Sequence, residues 1–184
     1  SKALLRSAKL AEQMRHADRY GLQPGVAVVN LRAVMARVHQ IIAAIEPHDS
    51  IERYSALGVE VLQGHARLVD PWTVEITGAD GVQQQLTTRS VVIAAGARPY
   101  VPPLPGNEDA GYLTSDTLWD VLAAQDAPPQ RLVVLGGGPI GCELSQAFAR
   151  LGSQVTQIEM LPRILSREDR DVADHTQRSL ERDG

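Results

Sequence analysis

Three glycines and one acid carry the first chemical suggestion in the sequence: Gly136-x-Gly138-x-x-Gly141, with Glu159 about twenty residues beyond the turn. On its own such a glycine spacing is a weak signal, and what strengthens it is context. The apolar run Leu132–Leu135 precedes it, a helical pattern follows, and the β-rich "QVTQIE" ends on Glu159. A strand, turn and helix in that order suit the pyrophosphate of a dinucleotide. Gly136 permits the tight turn, Gly138 lets the backbone approach a phosphate, and Gly141 lets helix and strand pack closely. The helix N-terminus adds free N–H groups and partial positive charge. The expected cradle is therefore Gly136, Gly137, Gly138, Pro139, Ile140 and Gly141, with Pro139 at the first helical position, where its missing N–H costs nothing. Glu159 is placed to accept hydrogen bonds from the adenine-side ribose and to repel a 2′-phosphate, which favours NAD over NADP. Arg163, four residues on, could soften that preference. The plainer alternative is a turn of structural glycines with a solvated acid.

Other reactive side chains argue for less. Glu143 falls in the first turn of the same helix, where an acid suits the dipole but sits awkwardly beside a phosphate. Cys142 is the sole cysteine, with no second thiol and no histidine near it in sequence. On a helix packed against a strand it reads as a small buried hydrophobe. The five histidines, His16, His39, His48, His65 and His175, show no metal-ligand spacing, so no metal site is expected.

The elements that must position these residues follow from periodicity. "SKALLRSAKLAEQMRHADRYGL" is helical in character, with Ser1 as its N-cap. A second helix opens at Asn30 and presents Leu31, Val34, Val38, Ile41, Ile42 and Ile45 until Pro47 ends or kinks it. Asp49 and Glu52 form a capping pair for a short continuation through Ala56, which Gly58 breaks. "VEVLQGHARLVD", "WTVEIT" and "VQQQLTTRS" are short β-rich segments separated by turn signals. "SVVIAAGARP" reads as a strand buried on both faces. The proline-rich "VPPLPGNEDAG" marks a boundary, and Ser115 or Asp116 caps a short helix through Leu122. The helix after the glycine turn runs from Pro139 to Leu151 with Ile140, Leu144, Ala147, Phe148 and Leu151 on one face, and a final helix occupies the stretch after Ser166.

Composition bounds the partners. The net charge of −4 disfavours nucleic acid and anionic membranes, both of which reward basic patches. No apolar run is long enough to span a bilayer, and the N-terminus lacks the pattern of a signal peptide. A cytoplasmic location is expected. Ser1 at one end and Asp183-Gly184 at the other read as cuts in a longer chain.

Taken together, "SKALLRSA", "QGHARL", "VVIAAGARPYVPPLPG", "LVVLGGGPIGCELSQAFARLGSQVTQIE" and "RILSREDRDV" resemble the pyridine nucleotide-disulfide oxidoreductases. The resemblance runs along essentially the whole chain, in the family's order, and leans toward the mercuric-reductase-like and lipoamide-dehydrogenase-like branches. It implies an α/β chain in which residues 1–104 are part of an FAD domain with a β-meander, lacking its first strand, glycine turn and redox cysteines. Residues 105–130 would be a linker with a short helix. Residues 131–184 would be the first βαβα half of an inserted Rossmann-type NAD(P) domain.

The resemblance also implies roles. Ser1-Lys2 would directly follow a redox dithiol, and Lys2 would pair with Glu143 beside the flavin. Ala66 would offer FAD a backbone contact. Ala95, Gly96 and Ala97 match the family's Thr-Gly-Ser/Ala segment, with Ala95 replacing the threonine so that only backbone contact is left. The implied cofactors are FAD and NAD, and the parent would pass hydride from NADH through FAD to a dithiol. The chain itself, holding no dithiol, is expected to be inactive and to form a homodimer or domain-exchanged oligomer. Two alternatives are a stand-alone nucleotide-binding module and a non-catalytic assembly fragment.

Overall fold

The computed structural model describes residues 1–184 and shows a mixed α/β chain. It divides into two compact units: Ser1–Ile42 with Val101–Gly184, and Ala43–Tyr100. The sequence-based division followed chain order, with cuts after residues 104 and 130. Compactness instead groups the first helices with the glycine-turn half, because they share one core.

In the first unit, α1 (Lys2–Arg15) and the greater part of α2 (Leu31–Ile45) supply Leu4, Ala8, Ala11, Leu31, Met35 and Val38 to that core. α2 opens where expected, and Asn30 caps it, its Oδ1 accepting the Ala33 N–H at 2.9 Å. The buried stripe differs from the sequence expectation at its far end. Met35 is buried, whereas Ile42 and Ile45 are exposed.

In the second unit a short 3-10 turn at Glu46–Asp49, with Pro47 in its first positions, leads into α3 (Ile51–Ala56). The cap of α3 is Ser50, whose Oγ accepts the Arg53 N–H, and not Asp49. The strands β1 (His65–Asp70), β2 (Thr73–Thr77) and β3 (Gln83–Thr87) form an antiparallel meander in the order β1-β2-β3. Only Ile76 is buried in it. Arg67 and Glu75, directly opposite in register, form an ion pair at 2.8 Å.

The expected buried strand in "SVVIAAGARP" does not form. Residues 91–100 carry no strand, and Val92 is 88% and Ile93 76% exposed. A parallel strand needs partners on its edges and helices on its faces. No strand of this chain pairs with that run.

Back in the first unit, the single-turn α4 (Asn107–Ala110) precedes α5 (Leu118–Ala123), which buries Leu118 and Leu122. Thr114, not Ser115 or Asp116, organises the entry to α5: its Oγ1 accepts the N–H groups of Asp116 and Thr117. Then β4 (Arg131–Leu135), α6 (Pro139–Arg150) and β5 (Gln154–Ile158) follow as strand, helix and parallel strand. α6 lays Ala147 and Phe148 on the core, with Leu151 just beyond its end. Ile140, expected on that face, is exposed; Cys142 and Ser145 are buried in its stead. The final helix, α7 (Arg170–Asp183), is tied to α6 through Asp183, which accepts from Gln146 at 2.7 Å and from Arg150 at 2.9 Å. No helix is long and apolar enough to cross a membrane.

Candidate functional site at the glycine turn

The bend between β4 and α6 is built by three glycines with three different constraints. Gly136 has φ +115°, a backbone state open chiefly to glycine, and its N–H continues the ladder to the Ile158 carbonyl at 2.8 Å. Gly141 lies so close to the Gly136 carbonyl that any β-carbon would collide with it. Gly138 is the N-cap of α6 in extended conformation, and a β-carbon there would meet nothing within 4 Å. That open space is what a phosphate approaching the backbone needs. Pro139 takes the first helical position.

The N–H groups of Gly138, Ile140 and Gly141 find no acceptor in the chain, while Cys142 N–H donates to the Gly138 carbonyl. These are the free donors a helix start leaves, aimed off the end of α6.

Gly137, which the glycine spacing treats as variable, is the most enclosed of the turn residues. Its N–H donates to Glu159 Oε2 at 2.6 Å, and its carbonyl accepts the Leu165 N–H at 2.7 Å. A β-carbon on it would stand 2.8 Å from Glu159 Oε2 and 2.9 Å from Ile164 Cγ2. Glu159 stands just past the end of β5, and its other oxygen accepts the Leu161 N–H at 2.8 Å. The N–H groups of Leu161 and Gly137 hold its carboxyl below the ordinary glutamate range. The acid therefore sits at the lip of the turn, half-buried and ionised.

Gln157 was missed in the sequence. Its Nε2 donates to the Gly136 carbonyl at 2.9 Å, anchoring the turn from β5. The signal was available: alternation along a strand puts Gln157 and Glu159 on the same face as Val155. Cys142 lies beneath, its Sγ donating to the Gly137 carbonyl at 3.5 Å. Burial pushes its thiol pKa up, which makes it a poor nucleophile.

Glu143 is the fifth residue of α6, beyond its first turn, so the helix dipole does not account for it. Its Oε2 accepts a hydrogen bond from Ser1 Oγ at 2.6 Å. Ser1 thereby uses its hydroxyl on α6 and does not cap α1 with it. Lys2, the expected partner of Glu143, is exposed and joins none of the ion pairs. Arg163 is also engaged at home: its guanidinium donates to the carbonyls of Leu165, Ser166 and Glu168. Ala66, on β1 opposite Ile76, and Ala95, Gly96 and Ala97, outside any helix or strand and with Gly96 at φ +68°, belong to the other compact unit and are exposed.

A cleft of about 370 Å³ opens between α6, β5 and α7, lined by residues including Ser145, Gln157, Glu159 and Arg163. None of the turn glycines lines it.

The whole chain, residues 1–184, matches the family described as pyridine nucleotide-disulphide oxidoreductase. Mercuric reductase of Lysinibacillus sphaericus is 30% identical over 180 residues, which is 98% of this chain and 31% of that protein. Dihydrolipoyl dehydrogenase of Mycoplasma pneumoniae is 33% identical over 178 residues, 95% of this chain and 37% of that protein. Among solved structures, LpdA from Mycobacterium tuberculosis superposes with a TM-score of 0.74 at 28% identity, covering 100% of this chain and 39% of its own. The chain spans about a third of the length of these relatives.

Proposed function

The chain belongs to the pyridine nucleotide-disulphide oxidoreductase family, and from that premise we propose that its glycine turn binds the pyrophosphate of NADH. Members of the family use FAD and a nicotinamide dinucleotide. The observation that carries the proposal is the group of three unpartnered N–H donors, Gly138, Ile140 and Gly141, facing the open space beside Gly138, with an ionised Glu159 at the lip. Glu159 would exchange its backbone partners for the adenine-side ribose hydroxyls, and its charge favours NADH over NADPH.

In this reading residues 131–184 are the first half of an inserted Rossmann-type domain, and residues 1–104 belong to an FAD domain. FAD, when bound, supplies acceptance of hydride from NADH and its onward transfer to a dithiol. The residues suited to hold it here offer mainly backbone groups: Ala66, Ala95, Gly96 and Ala97, with Lys2 and Glu143 on the flavin side. Residues 91–100, paired with no strand, fit a backbone-only role. Glu143 would place a negative charge there, with Ser1 Oγ holding the carboxylate in position.

With one cysteine, the chain by itself carries no dithiol and turns over no disulfide. The free edges of the two-stranded β4–β5 sheet favour self-association, as a homodimer or by domain exchange, in the cytoplasm. Sedimentation that stays monomeric at high concentration would remove that part.

Gly138→Val tests the core of the proposal. Its β-carbon meets nothing within 4 Å and its φ of −75° suits valine, so the fold tolerates it. Titration with NADH should show affinity reduced by about tenfold or more. Unchanged affinity in a folded Gly138→Val chain would reject the glycine turn as the phosphate site.

A further inference from the structure

The loop after β5 folds back on the glycine turn, and one side chain holds it there. Arg163 Nη1 donates to the Leu165 carbonyl at 3.2 Å, and Nη2 donates to Ser166 at 3.0 Å and to Glu168 at 2.9 Å. All three acceptors are main-chain oxygens within five residues of the arginine. The residue thus held, Leu165, is the one non-glycine with positive φ, at 48°. Side chains adopt that region only when the surroundings compel it. In that conformation the Leu165 N–H reaches the Gly137 carbonyl at 2.7 Å, while Ile164 Cγ2 closes over the bare Gly137 α-carbon.

We infer that Arg163 is a positioning residue for the dinucleotide site: by clamping three carbonyls it holds Leu165 in its left-handed turn, and through Leu165 it fixes Gly137. The inference rests on the nucleotide-binding proposal for its link to affinity, although the clamp stands apart from it. A planar fork with several donors suits three diverging carbonyls, which the single ammonium of a lysine cannot serve equally. A guanidinium so occupied is also not offered to a 2′-phosphate. Arg163 therefore sets affinity for NADH and NADPH alike and does not choose between them.

The experiment compares the unmodified chain with Arg163→Met, Arg163→Lys, and Arg163→Met combined with Leu165→Gly. Each is titrated with NADH and with NADPH, and amide exchange is followed at Gly137 and Leu165. Arg163→Met should weaken both cofactors by a common factor of about ten, the effect of losing one well-placed charged hydrogen bond. Exchange at Leu165 should quicken, and Arg163→Lys should fall in the same direction. Adding Leu165→Gly should restore much of the loss, because glycine takes positive φ without a clamp. Weakening confined to NADPH would make Arg163 a phosphate reader and overturn the inference, as would a double variant no better than Arg163→Met. If the unmodified chain binds neither dinucleotide, the binding proposal fails, and Leu165 exchange decides the clamp alone. Exchange unchanged in Arg163→Met would then reject it.

Discussion

Two runs of nearly the same letters meet opposite fates in this chain. "LVVLGG", residues 132–137, and "VVIAAG", residues 91–96, are both apolar and both reach a glycine with positive φ, +115° at Gly136 and +68° at Gly96. The first becomes most of β4, in register with β5 from Arg131↔Gln154 to Leu135↔Ile158, with α6 packed on one face. The second forms no strand and leaves Val92 and Ile93 to solvent. An apolar run is thus only permission for a buried strand. What completes it is a neighbour with free N–H and C=O groups and a helix close enough in sequence to fold over it.

The comparison can be broken most forcefully at the helix that covers β4. Phe148→Ala removes a ring that is 3% exposed at the centre of the core and should cost about 4 kcal/mol. Each compact unit contains one tryptophan, Trp119 in the first and Trp72 in the second, so the effect can be located. Urea unfolding in a Trp72→Phe background should show the Trp119 transition moved to lower urea. In a Trp119→Phe background the transition seen by Trp72 should stay. A common shift of both would show that the units unfold as one.

The next effect is at the tie between α6 and α7. Asp183→Ala would leave Arg150, its side chain 18% exposed, without its carboxylate partner, itself 7% exposed. Breaking such a mostly buried pair should cost about 3 kcal/mol, read again at Trp119.

A smaller effect follows from pH. The folded carboxyl of Glu159 has a lowered pKa, first through Leu161 N–H and then Gly137 N–H. Its contribution to stability is complete above the ordinary glutamate range and is lost as pH falls through the lower folded value. Glu159→Gln should flatten that acid limb for Trp119, leaving the Trp72 curve unaltered.

The smallest effect sharpens the contrast from its other side. Val92→Ser should change stability by less than about 0.5 kcal/mol, because nothing covers the valine. A loss like that of Phe148→Ala would show that residues 91–96 are packed in solution.

What was legible in the sequence was local. The strand, glycine turn and helix around Gly136, the meander between His65 and Thr87, and the opening of α2 at Asn30 each follow from residues within a few positions of one another. The need for glycine at 141 is equally local, since only a missing β-carbon lets α6 approach the Gly136 carbonyl. Failures came where distant residues decide. Ser1 meets Glu143 across 142 positions, and no spacing rule predicts which of Ser1 or Lys2 takes that carboxylate. Ile140 fits the helical stripe, yet only Ala147, Phe148 and Leu151 further along it are buried, and Cys142 and Ser145, which lie off that stripe, are buried as well. The enclosure of Gly137 depends on Ile164 and Leu165, and Leu165 adopts a backbone state that its residue type disfavours.

The lone thiol of Cys142 offers a clock. It is sealed beneath the turn, raised in pKa by burial, and has no sister cysteine to confuse the signal. If an alkylating reagent reaches it chiefly while the first turns of α6 are lifted from β5, the rate of labelling counts those excursions. A dinucleotide that seats on the same turn would slow the count in proportion to its occupancy, giving a measure of binding that needs no chromophore and no turnover.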